Sequence, residues 1–241
     1  MIGRIPVDSL QTYARVGGGL YLVVFALGFT LFEYPHVNAS GNAASTAHAI
    51  SSSEPWLRVV SATELMNFVI DVPLALILYV LLAPVDPNIA LLAAFFRLAN
   101  GFLGGIIGLG RLAGVLLFGD AGYRSAFSPN QLQALASLSF ALHGYGLDIC
   151  FVFFGIHCIL LGLLIYRSGY LPKWIGMLLA IAGLIYCADS LADIAVPIFA
   201  AKIPNAIFVF GFVAELSLCL WLLTKGVNIP KWEEKAHRFA T

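Results

Sequence analysis

Charge is the scarcest commodity in this chain. Only 11% of its 241 residues are charged, and its 13 basic side chains balance its 13 acidic ones. A soluble domain carries about 25% charged residues. With no basic excess there is no electrostatic footprint for nucleic acid. Cysteine is equally sparse: Cys150, Cys158, Cys187 and Cys219 all lie in apolar runs without CxxC spacing, so they read as small buried hydrophobes rather than metal ligands. There is no HExxH or HxxxH pattern for zinc, no nucleophile elbow and no glycine-rich phosphate loop. The glycine-rich stretch at 101–110 lies inside an apolar run and suits helix packing.

What fills the space is hydrocarbon. Hydrophobic residues make up 60% of the chain and the mean hydropathy is +0.91. A membrane-crossing helix needs about 20 mostly apolar residues. Six runs qualify: 14–33, 58–82, 88–118, 131–166, 172–199 and 205–225. Proline-bearing turns at 83–88, 168–173 and 200–205 separate several of them. The segments 35–55 and 119–130 read as exposed loops. The first run is too long for a cleaved signal peptide and reads as a span. The expectation is an all-α polytopic bundle of six transmembrane helices over residues 1–228, followed by a solvated mixed-charge tail at 229–241.

Lysine and arginine set the orientation. With the N-terminus inside, Arg4, Arg15, Arg167, Lys173, Lys225, Lys231, Lys235 and Arg238 are cytoplasmic, and only Arg58, Arg124 and Lys202 are outside. Both termini are therefore expected in the cytoplasm, with the chain in a cell inner membrane.

Against this background the ionisable residues inside the runs stand out: Glu64, Asp71, Arg97, Arg111, Asp148, Asp189, Asp193 and Glu215, with His143 and His157. Each charge at the centre of an inserted helix costs roughly 2.5–3.5 kcal/mol, so such groups pair, line water or do chemistry. Ser61, Glu64, Asn67 and Asp71 share one helical face, as do Arg97, Gly101, Gly104, Gly108 and Arg111, and Tyr186, Asp189 and Asp193. At about 1.5 Å rise per residue, Asp71, Arg97, His157 and Glu215 fall roughly 12–17 Å from the inner end, and the others roughly 25–34 Å. The inner layer suggests a structural Asp71–Arg97 ion pair. Pro73 frees a carbonyl there that His157 or a water would satisfy.

The outer layer suggests a polar pocket: Glu64, His143, Asp148, Asp189 and Asp193 as acid–base groups, and Arg111, Tyr145, Tyr186 and Asn67 as substrate-binding groups. His143 and His157 are about 21 Å apart on an unbroken helix and cannot share a metal. The Gly-Tyr-Gly after His143 is expected to break the helix and swing His143 towards Asp148. More acids than bases lie in the spans, so some carboxyls carry protons or a cation shares the site. A metal ion is the less favoured of these, and no other cofactor is indicated.

The stretches LLAPVDPNIALLAAFFRLAN, HGYGLDICFVFFGIHCILLGLLIYRSGYLPKWIGMLLAIAGLIYCADS and AELSLCLWLLTKGVN resemble the bacterial membrane proteins grouped as domain of unknown function 4386, over roughly residues 10–228. The resemblance implies an inner-membrane bundle and assigns no reaction. By analogy alone, Glu64 and Glu215 are similar in layout to the intramembrane acids of small membrane terpene cyclases. Two function classes follow. One is an enzyme of cyclase, isomerase or hydrolase type acting on an apolar or lipid-like molecule in the bilayer. The other is a proton- or cation-coupled transporter or binding protein, and a structural partner subunit is a third reading. A homodimer would supply the two-fold architecture that six spans without a clear repeat lack.

Overall fold

The computed structural model describes residues 7–32, 43–196 and 206–240, and every regular element among them is helical. The helices are α1 (Val7–Phe32), α2 (Ala43–Leu82), α3 (Pro87–Gly119), α4 (Ala121–Ala126), α5 (Pro129–Ser168), α6 (Lys173–Ala195), α7 (Ala206–Thr224) and α8 (Ile229–Ala240). Five are long and apolar enough to cross a membrane, or six if α7 and α8, bent by 102° at their junction, count as one broken span. Lipid offers no partner for backbone N–H and C=O groups, so a spanning segment must satisfy its own, and continuous helices do so. Large side chains point outward along them, among them Phe102 (65% exposed) and Ile106 (64% exposed), as expected of a surface solvated by acyl chains. Arg4, Lys202 and the turn at 200–205 lie outside the described residues.

Local chemistry fixes the ends. Asp86 caps α3, its Oδ1 accepting from Asn88 N at 3.0 Å and Ile89 N at 3.1 Å, with Pro87 as the first helical residue. Ser128 and Gln131 form a reciprocal capping box at the start of α5, again with proline next. Gly169 (φ 76°) and Gly226 (φ 65°) take the left-handed conformation that ends α5 and α7.

The chain divides into two compact units. The first comprises Met1–Val24, Ile70–Gly101 and Asp148–Thr241; the second comprises Phe25–Val69 and Phe102–Leu147. Helices α1, α2, α3 and α5 contribute to both.

In the first unit α5 and α6 run antiparallel at backbone contact. A Cβ on Gly155 would lie 2.7 Å from Gly183 O, and one on Gly176 would lie 2.6 Å from Gly162 O. Both pairs sit in the same register, which places Asp148 opposite residue 190, between Asp189 and Asp193. Leu161, Leu164, Ile165, Ile175 and Leu179 fill the adjoining core. In the second unit Ile50 and Leu57 pack with Val115, Phe118, Leu132 and Ala136.

Two sequence expectations are corrected here. The described part of the 35–55 segment is mostly not loop: α2 begins at Ala43, and Ile50 and Leu57, two turns apart, bury one face. The tail is not wholly solvated either. Trp232 is 4% exposed and its Nε1 donates to Leu81 O at 2.9 Å, so α8 docks on the first unit. The 119–130 segment holds one short helix, α4, with no buried residue.

Candidate functional site

Three groups of polar side chains occupy the helices. The first, in the first unit, is centred on Arg97, whose side chain is 2% exposed. Its Nη2 meets Asp71 Oδ1 at 2.7 Å. Its Nη1 donates to Tyr21 OH at 3.0 Å and contacts His157 Nε2 at 3.1 Å. Asn100 Nδ2 donates to the other oxygen of Asp71 at 2.8 Å. The rings of Tyr21 and Phe154 stack against the guanidinium, 5.1 and 5.5 Å from its carbon. His157 Nδ1 lies 2.8 Å from Ala93 O, which can only accept, so Nδ1 carries a proton. Nε2 is then the lone pair that accepts from Arg97, and the imidazole is neutral. The carbonyl that holds His157 thus belongs to Ala93, not to the turn freed by Pro73. Within the group the direct contacts join one cation, one anion and one neutral histidine.

The second group, in the second unit, joins three residues far apart in sequence. Glu64 Oε2 accepts from Arg111 Nη1 at 3.0 Å, and His143 Nε2 lies 3.1 Å from both Glu64 oxygens. All three side chains are buried. Gly108, where a Cβ would lie 3.9 Å from Glu64 Oε2, leaves room for the carboxylate beside α3. Asn67, one turn along α2, has a buried Oδ1 without a hydrogen-bond partner among the described residues. Ser139 Oγ, one turn before His143, donates to its own helix at Leu135 O and is not aimed at the imidazole.

The expected break at Gly-Tyr-Gly is absent. α5 is one helix from Pro129 to Ser168, and Gly144 and Gly146 keep helical dihedrals. A helix hydrogen-bonds its own backbone, and nothing in lipid replaces those bonds, so glycine alone does not open it. His143 therefore stays with Glu64 in the second unit, while Asp148 belongs to the first. Tyr145 is 46% exposed on the outer face of α5.

The third group is acidic. Asp148 on α5 and Asp193 on α6 lie beside one another, with Asp189 alongside. All three are half-buried, and none forms an ion pair with Lys, Arg or His among the described residues. Two carboxyl groups side by side can hydrogen-bond to each other only when one of them holds a proton, since a carboxylate has nothing to donate. One helical turn before Asp189 on α6, Tyr186 OH donates to Glu215 Oε1 on α7 at 3.0 Å, with its ring against Phe151 and Phe154. Among the described residues no three His, Cys, Asp or Glu side chains converge as a metal site.

Comparison with known proteins places the chain. The pattern of DUF4386, a domain of unknown function, matches residues 16–226. The chain belongs to the DUF4386 family. The matched span takes in all three polar groups. An uncharacterized protein of Archaeoglobus fulgidus is 34% identical over 163 residues, covering 68% of this DUF4386 chain and 81% of the relative. No solved structure matches.

Sequence reasoning did not single out Tyr21 or Asn100. Asn100 was within reach of it, one turn from Arg97 on the same stripe. Tyr21 was not, because an aromatic in an apolar run carries no mark of what its hydroxyl touches. Gly155, Gly162, Gly176 and Gly183 were also passed over, although each pair is spaced by two turns and keeps one face.

Proposed function

We propose that this DUF4386 protein is a membrane-embedded acid–base protein whose Asp148–Asp193 carboxyl pair, with Asp189 alongside, gives and takes a proton while binding and transforming an apolar or lipid-like small molecule. The observation that carries the reading is the contrast between the carboxylates. Asp71 and Glu64 are each ion-paired with an arginine, Asp71 with Arg97 and Glu64 with Arg111. Asp148 and Asp193 lie beside one another with no Lys, Arg or His ion pair among the described residues, an arrangement suited to holding one proton between two carboxyls. Their partial exposure leaves them open to a molecule dissolved in the bilayer. The reaction class this suits is protonation of an apolar group by one carboxyl, followed by return of a proton through the other, as in an isomerisation or cyclisation. Glu64 and His143 then serve with Arg111 as a closed structural group. Arg167, Lys173, Lys225, Lys231, Lys235 and Arg238 follow or precede the same ends of α5, α6 and α7, which supports cytoplasmic termini in a bacterial-type inner membrane.

The same unmatched pair supports a second reading, in which a monovalent cation replaces the shared proton and the protein couples ion or proton movement to transport. Infrared difference spectroscopy of the purified protein separates the two. Wild type should show a protonated-carboxyl band that fades as pH rises, and Asp148→Asn and Asp193→Asn should each remove it. Loss of the band on adding sodium or potassium at constant pH favours the cation. A wild-type band persisting in both variants overturns the assignment of the proton to this pair.

A further inference from the structure

The end of the first unit where α5 and α7 finish carries a feature that the acid–base reading does not use. An open groove of about 450 Å³ lies between the 169–172 turn and the 225–228 turn. Tyr170, Trp221, Lys225, Asn228 and Lys231 line it, and no carboxylate does.

The groove is rigidly built. Gln11 reaches from α1 and clamps the 225–228 turn, its Nε2 donating to Lys225 O at 2.9 Å and its Oε1 accepting from Val227 N at 3.1 Å. Gly226 turns left-handed under that clamp, where a Cβ would strike the Gln11 amide at 2.5 Å. Trp221 Nε1 donates to Gly226 O at 3.1 Å. Tyr170 OH and Trp232 Nε1 both donate to Leu81 O, tying the other wall and α8 to the end of α2.

With those donors engaged, the groove's charged groups are its two lysines, beside the neutral amide of Asn228. Lys225 and Lys231 form no ion pair among the described residues. The nearest acids on α8 are Glu233 and Glu234, and Glu234 is held by Arg238 at 2.6 Å.

Position identifies what fits. α5 and α7 are apolar up to Ser168 and Thr224, so the two turns lie where these helices leave hydrocarbon. Trp174, Trp221 and Tyr166 cluster at these helix ends, as aromatic residues do at headgroup level. α8 turns by 102° and is strongly two-faced, with Trp232 inward and Lys231, Glu234 and Arg238 exposed, which is the arrangement of a helix lying along a membrane surface. A cationic groove at that level meets lipid phosphates. We propose that it is a headgroup site for an anionic phospholipid, with the phosphate between Lys225 and Lys231 and the acyl chains running along the apolar flank of α7.

Native mass spectrometry of the full chain, released from micelles doped with equal phosphatidylglycerol and phosphatidylcholine, tests this. Wild type should retain phosphatidylglycerol selectively. Lys225→Ala/Lys231→Ala should lower its retention about thirtyfold, at the usual worth of two lysines near a membrane surface. Lys225→Arg/Lys231→Arg should keep it, and Lys235→Ala, outside the groove lining, should behave as wild type. Equal retention of both lipids by wild type, or undiminished selectivity in the double alanine variant, overturns the site. Glycerol 3-phosphate and inorganic phosphate form the soluble arm; if either displaces the lipid at equal concentration, the ligand is a free phosphate and the lipid assignment falls.

Discussion

Replacing Arg97 with methionine keeps the side chain long and apolar while deleting the charge. In the wild type Arg97 holds Asp71 at 2.7 Å, Tyr21 OH at 3.0 Å and His157 Nε2 at 3.1 Å, with 2% of its side chain exposed. Without it, Asp71 keeps only Asn100 among the described residues, and a buried anion stands there with no countercharge. Breaking a buried pair in this way costs about 3–5 kcal/mol, more than a pair contributes relative to apolar residues of the same shape. The excess comes from the stranded partner, so removing that partner as well should restore much of the loss. Asp71→Asn/Arg97→Met should therefore be more stable than the sum of its single variants by about 2–3 kcal/mol. The assay is equilibrium unfolding in mixed micelles of rising sodium dodecyl sulfate fraction, followed by tryptophan fluorescence on wild type, both single variants and the double. If Arg97→Met lies within about 1 kcal/mol of wild type, or the two losses simply add, then the pair is not a sealed charge unit and this account of the centre fails.

Two further outcomes follow from the packing. Gly176→Val places carbon against Gly162 O, so α5 and α6 must separate; we expect a loss of about 1–3 kcal/mol in the same unfolding assay and disappearance of the Asp148–Asp193 infrared band, and a fully stable variant with the band intact contradicts the register. Tyr170 lies outside the spans, and burial raises its pKa above the ordinary tyrosine value. The unfolded chain ionises at about 10 while the folded one keeps the proton, so stability is full below that pH and falls as pH rises past it. Unfolding curves through the alkaline range should show this decline in wild type and a shallower one in Tyr170→Phe.

Much of this arrangement is legible in the sequence because hydropathy reports on long helices directly. The six apolar runs coincide with α1, α2, α3, α5, α6 and α7, and depth along consecutive helices brings Asp71 level with Arg97. The failures share a cause: they depend on what a residue touches rather than on what it is. The serine-rich start of α2 has too few apolar residues to register as helix, yet Ile50 and Leu57 suffice to hold it against α3 and α5. Glycines flanking Tyr145 look like a hinge until the cost of open backbone in lipid is counted. The partner of Asp148 depends on the register set by Gly155 and Gly162, and a register needs both helices.

Leu81 illustrates what a single acceptor can organise. Its carbonyl accepts hydrogen bonds from a phenol at 2.7 Å and an indole at 2.9 Å, side chains borne 89 and 151 positions later. During synthesis that oxygen enters the membrane early and waits, first for Tyr170 and then for Trp232. The latch closes only once α8 has been made, so a chain that stops short of Trp232 leaves Leu81 with one of its two donors missing.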